Sequence, residues 1–293
     1  MIQRSKGEKI FAVFNAIILV FLCVVCLVPM WHVIMASISD PFLVGSSHSF
    51  IFFPIGETNV QAYKIILRYN GLWRGYLNTI IYTVCQCILA ALCSCIGGYI
   101  MARKQYRYRS IFTIFLLIPM FFNGGMIPTF MVMQTLNLID TMLVMILPGS
   151  LNILYFFFMR LAIGAVPESL SESARLDGAG ELRILIQIIM PLCMPTVAVV
   201  ILFTAVAKWN DYMSALIYLP TAQDLYPLQM FIRNILNNAN DITGSESVIE
   251  NANAYTKLVQ YATIVVSTLP IICVYPFVQK YFVKGILIGS VKG

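Results

Sequence analysis

The stretch that decides the fold reads Val166-Pro-Glu-Ser-Leu-Ser-Glu-Ser-Ala-Arg-Leu-Asp-Gly-Ala-Gly180. It is a polar island in an apolar chain: 59% of the 293 residues are hydrophobic, 11% are charged, and the mean hydropathy is +0.83. Soluble domains carry about 25% charged residues, so this composition excludes a soluble enzyme, a disordered chain and a disulfide scaffold. Because no stretch is long and polar enough for a separate soluble domain, we expect a multi-pass membrane protein.

Six charge-free runs surround this segment, and each is at least as long as the roughly 17–25 residues that a membrane-spanning helix needs. They are Ile10–Ser39, Gly75–Ala102, Ser110–Ile139, Thr141–Met159, Ile184–Ala207 and Leu258–Gln279. A helix satisfies its own backbone groups, as lipid requires. The first run is longer than the apolar part of a signal peptide, so we expect a retained helix. The sequence therefore predicts an all-α membrane protein with six transmembrane helices.

The distribution of Lys and Arg predicts the orientation of these helices. Three lie at the N-terminus, four at 103–109, three at 160–183 and three in the tail, which makes thirteen on one side against five on the other. The richer side is expected to be cytoplasmic, which places both termini inside the cell and the protein in the cell membrane. The net charge of +6 sits in these short clusters, so it does not indicate binding to nucleic acid.

The cysteines give no sign of a metal site. All eight lie inside apolar runs, and the Cys-x-Cys pairs at 85/87 and 93/95 have no His or carboxylate beside them. Buried free cysteine behaves as a small hydrophobic residue. We expect neither a metal, nor a disulfide, nor any cofactor bound by this chain.

Local signals within the polar island predict a short surface helix from about 167 to 177. Pro167 suits a first helical position, with Glu168 beside the positive end of the helix dipole. Gly178 and Gly180 suit the end of a helix. The segment is too polar to lie in lipid, so we expect this helix on the cytoplasmic face.

A second helical stretch follows directly. Over Glu181–Met190 the apolar residues recur at helical spacing, and Pro191 interrupts the chain before the fifth span. A surface helix joined rigidly to a membrane helix suits the transmission of movement from a soluble partner. The same pattern also fits an interfacial amphipathic helix that only anchors the loop, and the residues alone leave both interpretations open.

A resemblance favours the first interpretation. The segment contains, in order, Glu172-Ser173-Ala174, three residues, Gly178, nine residues, and Ile188-x-Met190-Pro191. This is similar to the EAA motif of ABC importer permeases, which reads Glu-Ala-Ala, three residues, Gly, nine residues and Ile-x-Leu-Pro. The spacing matches throughout, and Ser173 and Met190 are the two departures.

Four other stretches resemble one branch of these permeases. Trp209-Asn210-Asp211 and the closing Lys284–Gly293 are similar to the carbohydrate-uptake, MalG-like members. Asn123–Pro128 and Leu138–Thr141 resemble the LplC-like members, which favours complex oligosaccharides, acidic ones included. Together the resemblance covers the chain from about residue 75 to its end.

The resemblance implies a type I, MetI-like permease fold with a cytoplasmic coupling helix at about 167–178. It implies a second, different permease, two ATPase subunits that bind ATP and Mg, an external solute-binding protein and a sugar or oligosaccharide substrate. It also implies three regions: 1–74 with the tail, first helix and outer loop, 75–283 as the permease core, and 284–293 as a cytoplasmic tail. The chain lacks a G-x-x-x-x-G-K-[ST] phosphate loop, so we expect a transport subunit with no catalytic residues.

The coupling residues are carried over position by position. By the resemblance, the residues that couple the loop 166–191 to the ATPase are Glu172, Ser173, Ala174, Gly178, Ile188 and Pro191. Glu172 would lie on the face that meets the ATPase, Ala174 would permit close approach into its cleft, and Gly178 would supply the turn that aims the helix. Ile188 and Pro191 would pack and bend the link to the fifth span. An acidic side chain at 172 suits a basic residue of the partner, although a solvated surface charge is the alternative. The Lys-Gly tail either reaches between the ATPase subunits or is a frayed basic end.

Polar groups inside the spans are the candidates for a substrate pathway, because they are costly in lipid and usually functional. Lys208 and Asp211 are three residues apart, so they share a helix face and are expected to pair. Sugar contact, an interfacial anchor and a clamp between helices all remain open for this pair. The candidate pathway residues are Asn78, Asn123, Asn152, Tyr155, Asn210 and Asp211.

Two other classes of protein fit poorly. A secondary transporter usually shows inverted repeats or buried ionisable relays, and no internal repeat is visible. A membrane enzyme needs clustered catalytic or metal-binding groups, whereas the chain has only two histidines, neither with partners nearby in sequence. An ABC permease for a solute other than sugar remains the closer alternative.

Overall fold

The structure is a computed structural model that describes residues 6–47, 49–243 and 255–273, and all regular structure in those ranges is helical. The helices are α1 Lys6–Ser37, α2 Pro41–Ser46, α3 Gln61–Arg68, α4 Asn70–Ala102, α5 Arg109–Phe121, α6 Met126–Thr135, α7 Met142–Ser150, α8 Ile153–Gly164, α9 Glu168–Leu176, α10 Glu181–Leu192, α11 Met194–Trp209, α12 Met213–Tyr218, α13 Leu228–Thr243 and α14 Tyr255–Cys273. A short 3₁₀ turn, Gln223–Leu225, precedes α13.

Among the described residues, six elements are long and apolar enough to cross a membrane if each bent pair counts as one span. Three are the continuous helices α1, α4 and α14. The others are the bent pairs α5–α6, α7–α8 and α10–α11, with bends of 116°, 46° and 82°. These elements coincide with the six charge-free runs. The end of the sixth run, from 274 to Gln279, lies outside the described residues.

The bends have local chemical causes. At the sharpest one, Gly125 adopts a φ of 87°, a left-handed conformation that residues with a Cβ avoid. The Asn123 side chain accepts a hydrogen bond from the Gly125 N–H and closes this turn. At the start of α8, the Asn152 Oδ1 accepts from the Leu154 N–H at 3.0 Å, an N-cap that allows a new helix to begin.

The described residues form two compact units. The first contains the described residues up to Asn70 and those of 232–269, and the second contains Gly71–Phe231 and residues 270–273. In the first unit, the Trp31 Nε1 donates to the Phe52 carbonyl at 2.8 Å and holds the loop that follows α2. All of the sequence motifs of the polar island lie in the second unit.

Two apolar clusters of described residues lie in the second unit. One gathers residues of α4, α8, α10 and α11 and lies beside α9: Cys95, Tyr99, Met159, Ile163, Ile184, Leu185, Ile189, Cys193 and Val197. We call it the α9-side core. The other surrounds Tyr82, Val144 and Leu219. At Gly98 a Cβ would lie 2.5 Å from the Cβ of Met159, so this glycine permits α4 and α8 to pack closely.

Candidate coupling segment and polar cavity

Helix α9 ends in a complete C-terminal capping motif. The Ala179 N–H donates to the Ala174 carbonyl at 2.9 Å and the Gly178 N–H donates to the Arg175 carbonyl at 3.0 Å, the pattern of a Schellman motif. Gly178 has a φ of 79°, which confirms the predicted end of the helix at this glycine. The helix begins at Glu168, and Pro167 precedes it as the N-cap residue, one position earlier than its expected place inside the helix.

The two faces of α9 differ in their exposure to solvent. Ser171 is 2% exposed, and Ala174 packs against the α9-side core. Glu172 and Ser173 are exposed, and Leu176 is 90% exposed. The small side chain of Ala174 thus lets α9 approach this chain's own core, while the acidic and hydroxyl groups of the motif face outward.

The carboxylate of Glu181 joins three helices in what we call the Glu181 junction, formed by Tyr99, Arg103, Arg175 and Glu181. Its Oε1 accepts from the Arg175 Nε of α9 at 2.8 Å. Its Oε2 accepts from the Tyr99 hydroxyl of α4 and lies 3.4 Å from the Arg103 guanidinium. The Arg103 guanidinium donates to the Tyr99 oxygen and lies 4.5 Å from the centre of the Tyr99 ring, a cation–π contact.

This junction links the surface helix to the membrane helices through hydrogen bonds and ion pairs. The hydrogen bond to Glu181 raises the pKa of Arg175, so the guanidinium remains charged at any physiological pH. The Arg103 and Arg175 side chains are 14% and 26% exposed, whereas the Glu181 side chain is 56% exposed. Water therefore screens the carboxylate, and each pair is expected to contribute on the scale of a surface pair, about 0.2–1 kcal/mol, while the shared partners add to the network as a whole.

The connection from α10 to α11 is shaped by prolines. Residues Leu185–Ile189 form a π turn, and the Met190 N–H reaches back to the Leu185 carbonyl. Pro191 has no N–H to offer the carbonyl four residues earlier, so the widened turn accommodates it. The 82° bend follows at Cys193, between Pro191 and Pro195.

A polar cavity of about 350 Å³ lies farther along α11. It is lined by residues of α4, α7, α8, α11 and the turn into α12: Gln86, Val144, Met145, Pro148, Gly149, Asn152, Tyr155, Thr204, Ala207, Lys208, Asp211 and Ser214. Cavities that bind small molecules usually measure roughly 300–1,000 Å³. We refer to it as the polar cavity.

Lys208 and Asp211 form an ion pair in the wall of the polar cavity. The Lys208 Nζ lies 2.9 Å from the Asp211 Oδ2, and the two side chains are 5% and 21% exposed. This confirms the pairing predicted from their spacing. The Asp211 Oδ1 accepts from the Ser214 N–H, which anchors the start of α12. Removing one partner of a buried pair typically costs about 3–5 kcal/mol.

A family model described as "Binding-protein-dependent transport system inner membrane component" matches residues 88–288. The chain belongs to this family. Protein LplC of Bacillus subtilis (strain 168) is 32% identical, covering 99% of this chain and 98% of that protein. The polygalacturonan/rhamnogalacturonan transport system permease protein YtcP of the same strain is 34% identical, covering 94% of this chain and 96% of that protein.

A solved structure of a bacterial ABC transporter involved in the import of the acidic polysaccharide alginate is also similar. One of its chains matches with a TM-score of 0.84 and 31% identity, covering 96% of this chain and 100% of that one. The permease therefore has the ABC importer permease fold that the motif implied, and it is a multi-pass membrane protein and a transport subunit.

The permease brings three of the six candidate pathway residues together. Asn152, Tyr155 and Asp211 line the polar cavity. The Asn210 amide donates to the Val206 carbonyl on the exposed side of α11. Asn123 lies in the α5–α6 turn described above.

The Asn78 side chain forms hydrogen bonds with a loop. Its Nδ2 donates to the carbonyls of Asp224 and Tyr226, at 2.8 and 3.1 Å. The neighbouring Tyr82 hydroxyl donates to the Leu225 carbonyl. These bonds hold the segment that contains the 3₁₀ turn against α4, so Asn78 is 6% exposed and lies outside the polar cavity.

The remaining coupling residues lie along α10. Ile188 is half-buried, while Pro191 is exposed. Their neighbours Ile184, Leu185 and Ile189 are the residues of α10 that enter the α9-side core.

Sequence reasoning missed the Glu181 junction and Gln86. The spacing of Tyr99 and Arg103, four apart at the end of a predicted helix, indicates that they share a face. It does not indicate that Glu181, 82 residues away from Tyr99, meets them. Within the described ranges, no group of three or more His, Cys, Asp and Glu side chains is arranged to hold a metal.

Proposed function

We propose that this chain is the membrane-spanning permease subunit of an ATP-driven importer that moves a sugar or oligosaccharide delivered by an external binding protein. The observation that carries the proposal is α9, a surface helix that presents Glu172 outward while the Glu181 junction ties its other side to α4 and α10. The relatives named for polygalacturonan/rhamnogalacturonan and alginate support a saccharide as the substrate.

The coupling path runs from α9 to the polar cavity. An ATPase that moves α9 would pull on Glu181 at the first residue of α10. Helix α10 continues through the bend at Cys193 into α11, whose last turn contains Lys208 in the cavity wall. Because packed helices move as rigid bodies, a displacement of α9 would change the shape of the cavity without any chemistry in this chain.

The assembly is proposed as follows. Two ATPase subunits that hold ATP and Mg lie on the side of α9, which is cytoplasmic, and one of them contacts Glu172, Ser173 and Gly178. A second, different permease completes the pathway across the bilayer. No residue of α5 or α6 is fully buried among the described residues, although Phe130 and Met133 of α6 pack against the cluster around Tyr82, so lipid or that second permease would cover the exposed faces of these helices. Both termini would lie in the cytoplasm.

The substrate pathway is proposed to pass the polar cavity, with Asn152, Tyr155 and Asp211 as contacts. Asn78, Asn123 and Asn210 remain predictions for other parts of the pathway. Ala174, Ile188 and Pro191 would act indirectly, by setting the position of α9 and the direction of α10.

Charge reversal at Glu172 tests the coupling proposal. Glu172→Lys would place a positive charge against a basic ATPase surface. Close like-charge contact costs several kcal/mol, or roughly a hundredfold in affinity. We expect loss of ATPase co-purification and of uptake at normal membrane insertion. Glu57→Lys is the matched control, because Glu57 is an exposed glutamate outside the α9 segment. Wild-type uptake by Glu172→Lys would show that α9 is only a membrane anchor.

A further inference from the structure

The polar cavity contains a buried acceptor that the protein itself does not use. Gln86 is 6% exposed, lines the cavity, and its Oε1 has no hydrogen-bond partner among the described residues. A buried carbonyl oxygen without a donor is unfavourable unless a bound molecule supplies one. Gly149 leaves room for this side chain, because a Cβ at that position would lie 2.4 Å from the Gln86 Nε2.

The charges of the cavity cancel. Of the residues that line it, Lys208 and Asp211 are the two that carry charge, and they pair with each other at 2.9 Å. The Lys208 ammonium has three donors and uses one for Asp211, while each carboxylate oxygen can accept more than one hydrogen bond. The pair therefore presents adjacent donors and acceptors with no net charge.

The other polar groups offer the same mixture. The Asn152 Oδ1 is used by the Leu154 N–H, which leaves the amide donors available. The Thr204 hydroxyl donates to the Val200 carbonyl, which leaves its oxygen as an acceptor. Tyr155 and Ser214 add two more hydroxyl groups to the lining. A sugar hydroxyl is both donor and acceptor, so this wall matches a ring that carries several of them.

We propose that the polar cavity binds one uncharged sugar unit through its hydroxyls, and that it selects against a uronate at this position. The proposal rests on the proposed function and names the substrate class of the same pathway. A uronate carboxylate would add a second negative charge beside Asp211 and the Gln86 carbonyl. Because Lys208 is already neutralised, that charge would remain uncompensated by the residues that line the cavity. The volume of about 350 Å³ is small for a binding cavity, which favours a single unit.

Methyl galactoside and methyl galactosiduronate, the methyl glycoside of galacturonate with a free carboxylate, are a matched pair of probes, since they differ only in a hydroxymethyl or carboxylate group. Each is titrated against the purified, assembled transporter without its binding protein, with saturation-transfer NMR as the readout. We expect the galactoside to bind wild type at least about tenfold more tightly than the galacturonate. Asp211→Asn should reduce this ratio at least about tenfold, because it removes the repelling charge.

Further variants separate recognition from folding. Gln86→Leu should weaken galactoside binding, and the uncharged double variant Lys208→Gln with Asp211→Asn should keep it. Gln187→Ala is the control and should change the binding of neither ligand, because the Gln187 side chain bonds to Arg183 on the exposed side of α10 and does not line the cavity. Galacturonate binding as tight as galactoside binding in wild type would overturn the proposal, as would galactoside binding that Gln86→Leu leaves unchanged.

Uptake by the complete transporter in proteoliposomes keeps this proposal distinct from the proposed function. If oligosaccharide is imported but neither probe binds, the cavity proposal is wrong and the importer proposal stands. If no saccharide is imported with the binding protein and ATP present, the importer proposal itself is wrong.

Discussion

Glu181 accepts a hydrogen bond from Arg175 at 2.8 Å across the turn between α9 and α10. The two residues are only six apart in sequence, yet they belong to helices with different environments, one on the surface and one leading into the membrane. The bond closes over Gly178 and fixes the angle at which the chain leaves α9. This pair therefore links α9 to α10.

Neutralising Glu181 is expected to loosen this connection. Glu181→Gln keeps an acceptor oxygen but loses the charge, and charge-assisted hydrogen bonds are about twice as strong as neutral ones. A loss of up to about 1 kcal/mol would lower the ratio of molecules with the Arg175–Glu181 contact to molecules without it by a factor of roughly five. We expect uptake per ATP hydrolysed to fall while ATPase subunits still co-purify.

Gln187→Ala is the control for that experiment. The Gln187 Oε1 accepts from the Arg183 Nε at 2.8 Å on the exposed side of α10, so its loss removes a bond of equal length that joins no second helix. Equal effects of the two variants on uptake per ATP would contradict a special role for the Glu181 junction.

The left-handed turn at Gly178 gives a second prediction. Gly178→Ala introduces a Cβ at a φ of 79°, where no other atom of this chain lies within 4 Å, so within the chain its effect is backbone strain of about 1–2 kcal/mol. Uptake should fall with expression unchanged. Gly164→Ala also meets no atom within 4 Å but needs no left-handed backbone, and it should transport normally. If both alanine variants behave like wild type, the capping turn does not set the position of α9.

Gly149 tests the wall of the polar cavity. In Gly149→Ala the new Cβ would lie 2.4 Å from the Gln86 amide nitrogen, so the Gln86 side chain must move. We expect a higher apparent KM for uptake, with ATPase co-purification unchanged. At Gly124 a Cβ would be 3.6 Å from the nearest atom, in Pro128, an ordinary contact. Gly124→Ala is therefore the control, and an unchanged KM for Gly149→Ala would mean that Gln86 does not contact the substrate.

The hydrogen bonds of the Asp140 carboxylate predict that the stability of the protein depends on pH. The Thr221 hydroxyl donates to its carboxylate at 2.7 Å, and the backbone N–H groups of Ala222 and Thr221 add two more bonds. The hydrogen bond from the Thr221 hydroxyl contributes most to lowering the pKa of Asp140. Desolvation of the carboxylate raises this pKa, and the hydrogen bonds from the two N–H groups lower it further. A group with a lowered pKa in the folded state stabilises the protein above its unfolded pKa, about 3.9 for Asp, and this stabilisation is lost as the pH falls.

The thermal midpoint of the detergent-solubilised permease should therefore drop between about pH 5 and pH 3, and it should drop less in Asp140→Asn, which has no charge to lose. Thr221→Val should lower the midpoint at pH 7 by removing the hydroxyl. Identical pH profiles for wild type and Asp140→Asn would assign the acid sensitivity to other carboxylates.

Cysteine labelling tests the proposed orientation. Ser46 and Ser173 are both exposed in the structure, whereas Ser171 is buried and would resist labelling from either side. In intact cells an impermeant thiol reagent should label Ser46→Cys and leave Ser173→Cys unmodified until the cells are opened. Cys23, Cys26 and Cys273 are exposed native thiols and are replaced by serine in the background. Labelling of position 173 in intact cells would reverse the topology.

Local features of the sequence determined the spans and the limits of α9. Charge-free runs of sufficient length have to become helices in lipid, because no other structure satisfies the backbone there. A glycine after a short polar helix allows the left-handed turn that ends it, and the Lys208–Asp211 pair follows from a spacing of three residues. Each of these depends on neighbours within a few positions, so each can be predicted without a tertiary structure.

Tertiary structure alone decided the contacts between distant elements. Tyr99 meets Glu181 across 82 residues, and Asn78 meets Asp224 across 146. Nothing in the sequence around Gln86 indicates that its side chain faces Gly149 in a cavity wall. The helical period shows which residues share a face but not which helix lies opposite, because packing partners are selected by the shape and polarity of the whole bundle. That selection separated Asn152, Tyr155 and Asp211, which line the polar cavity, from Asn78, Asn123 and Asn210, which do not.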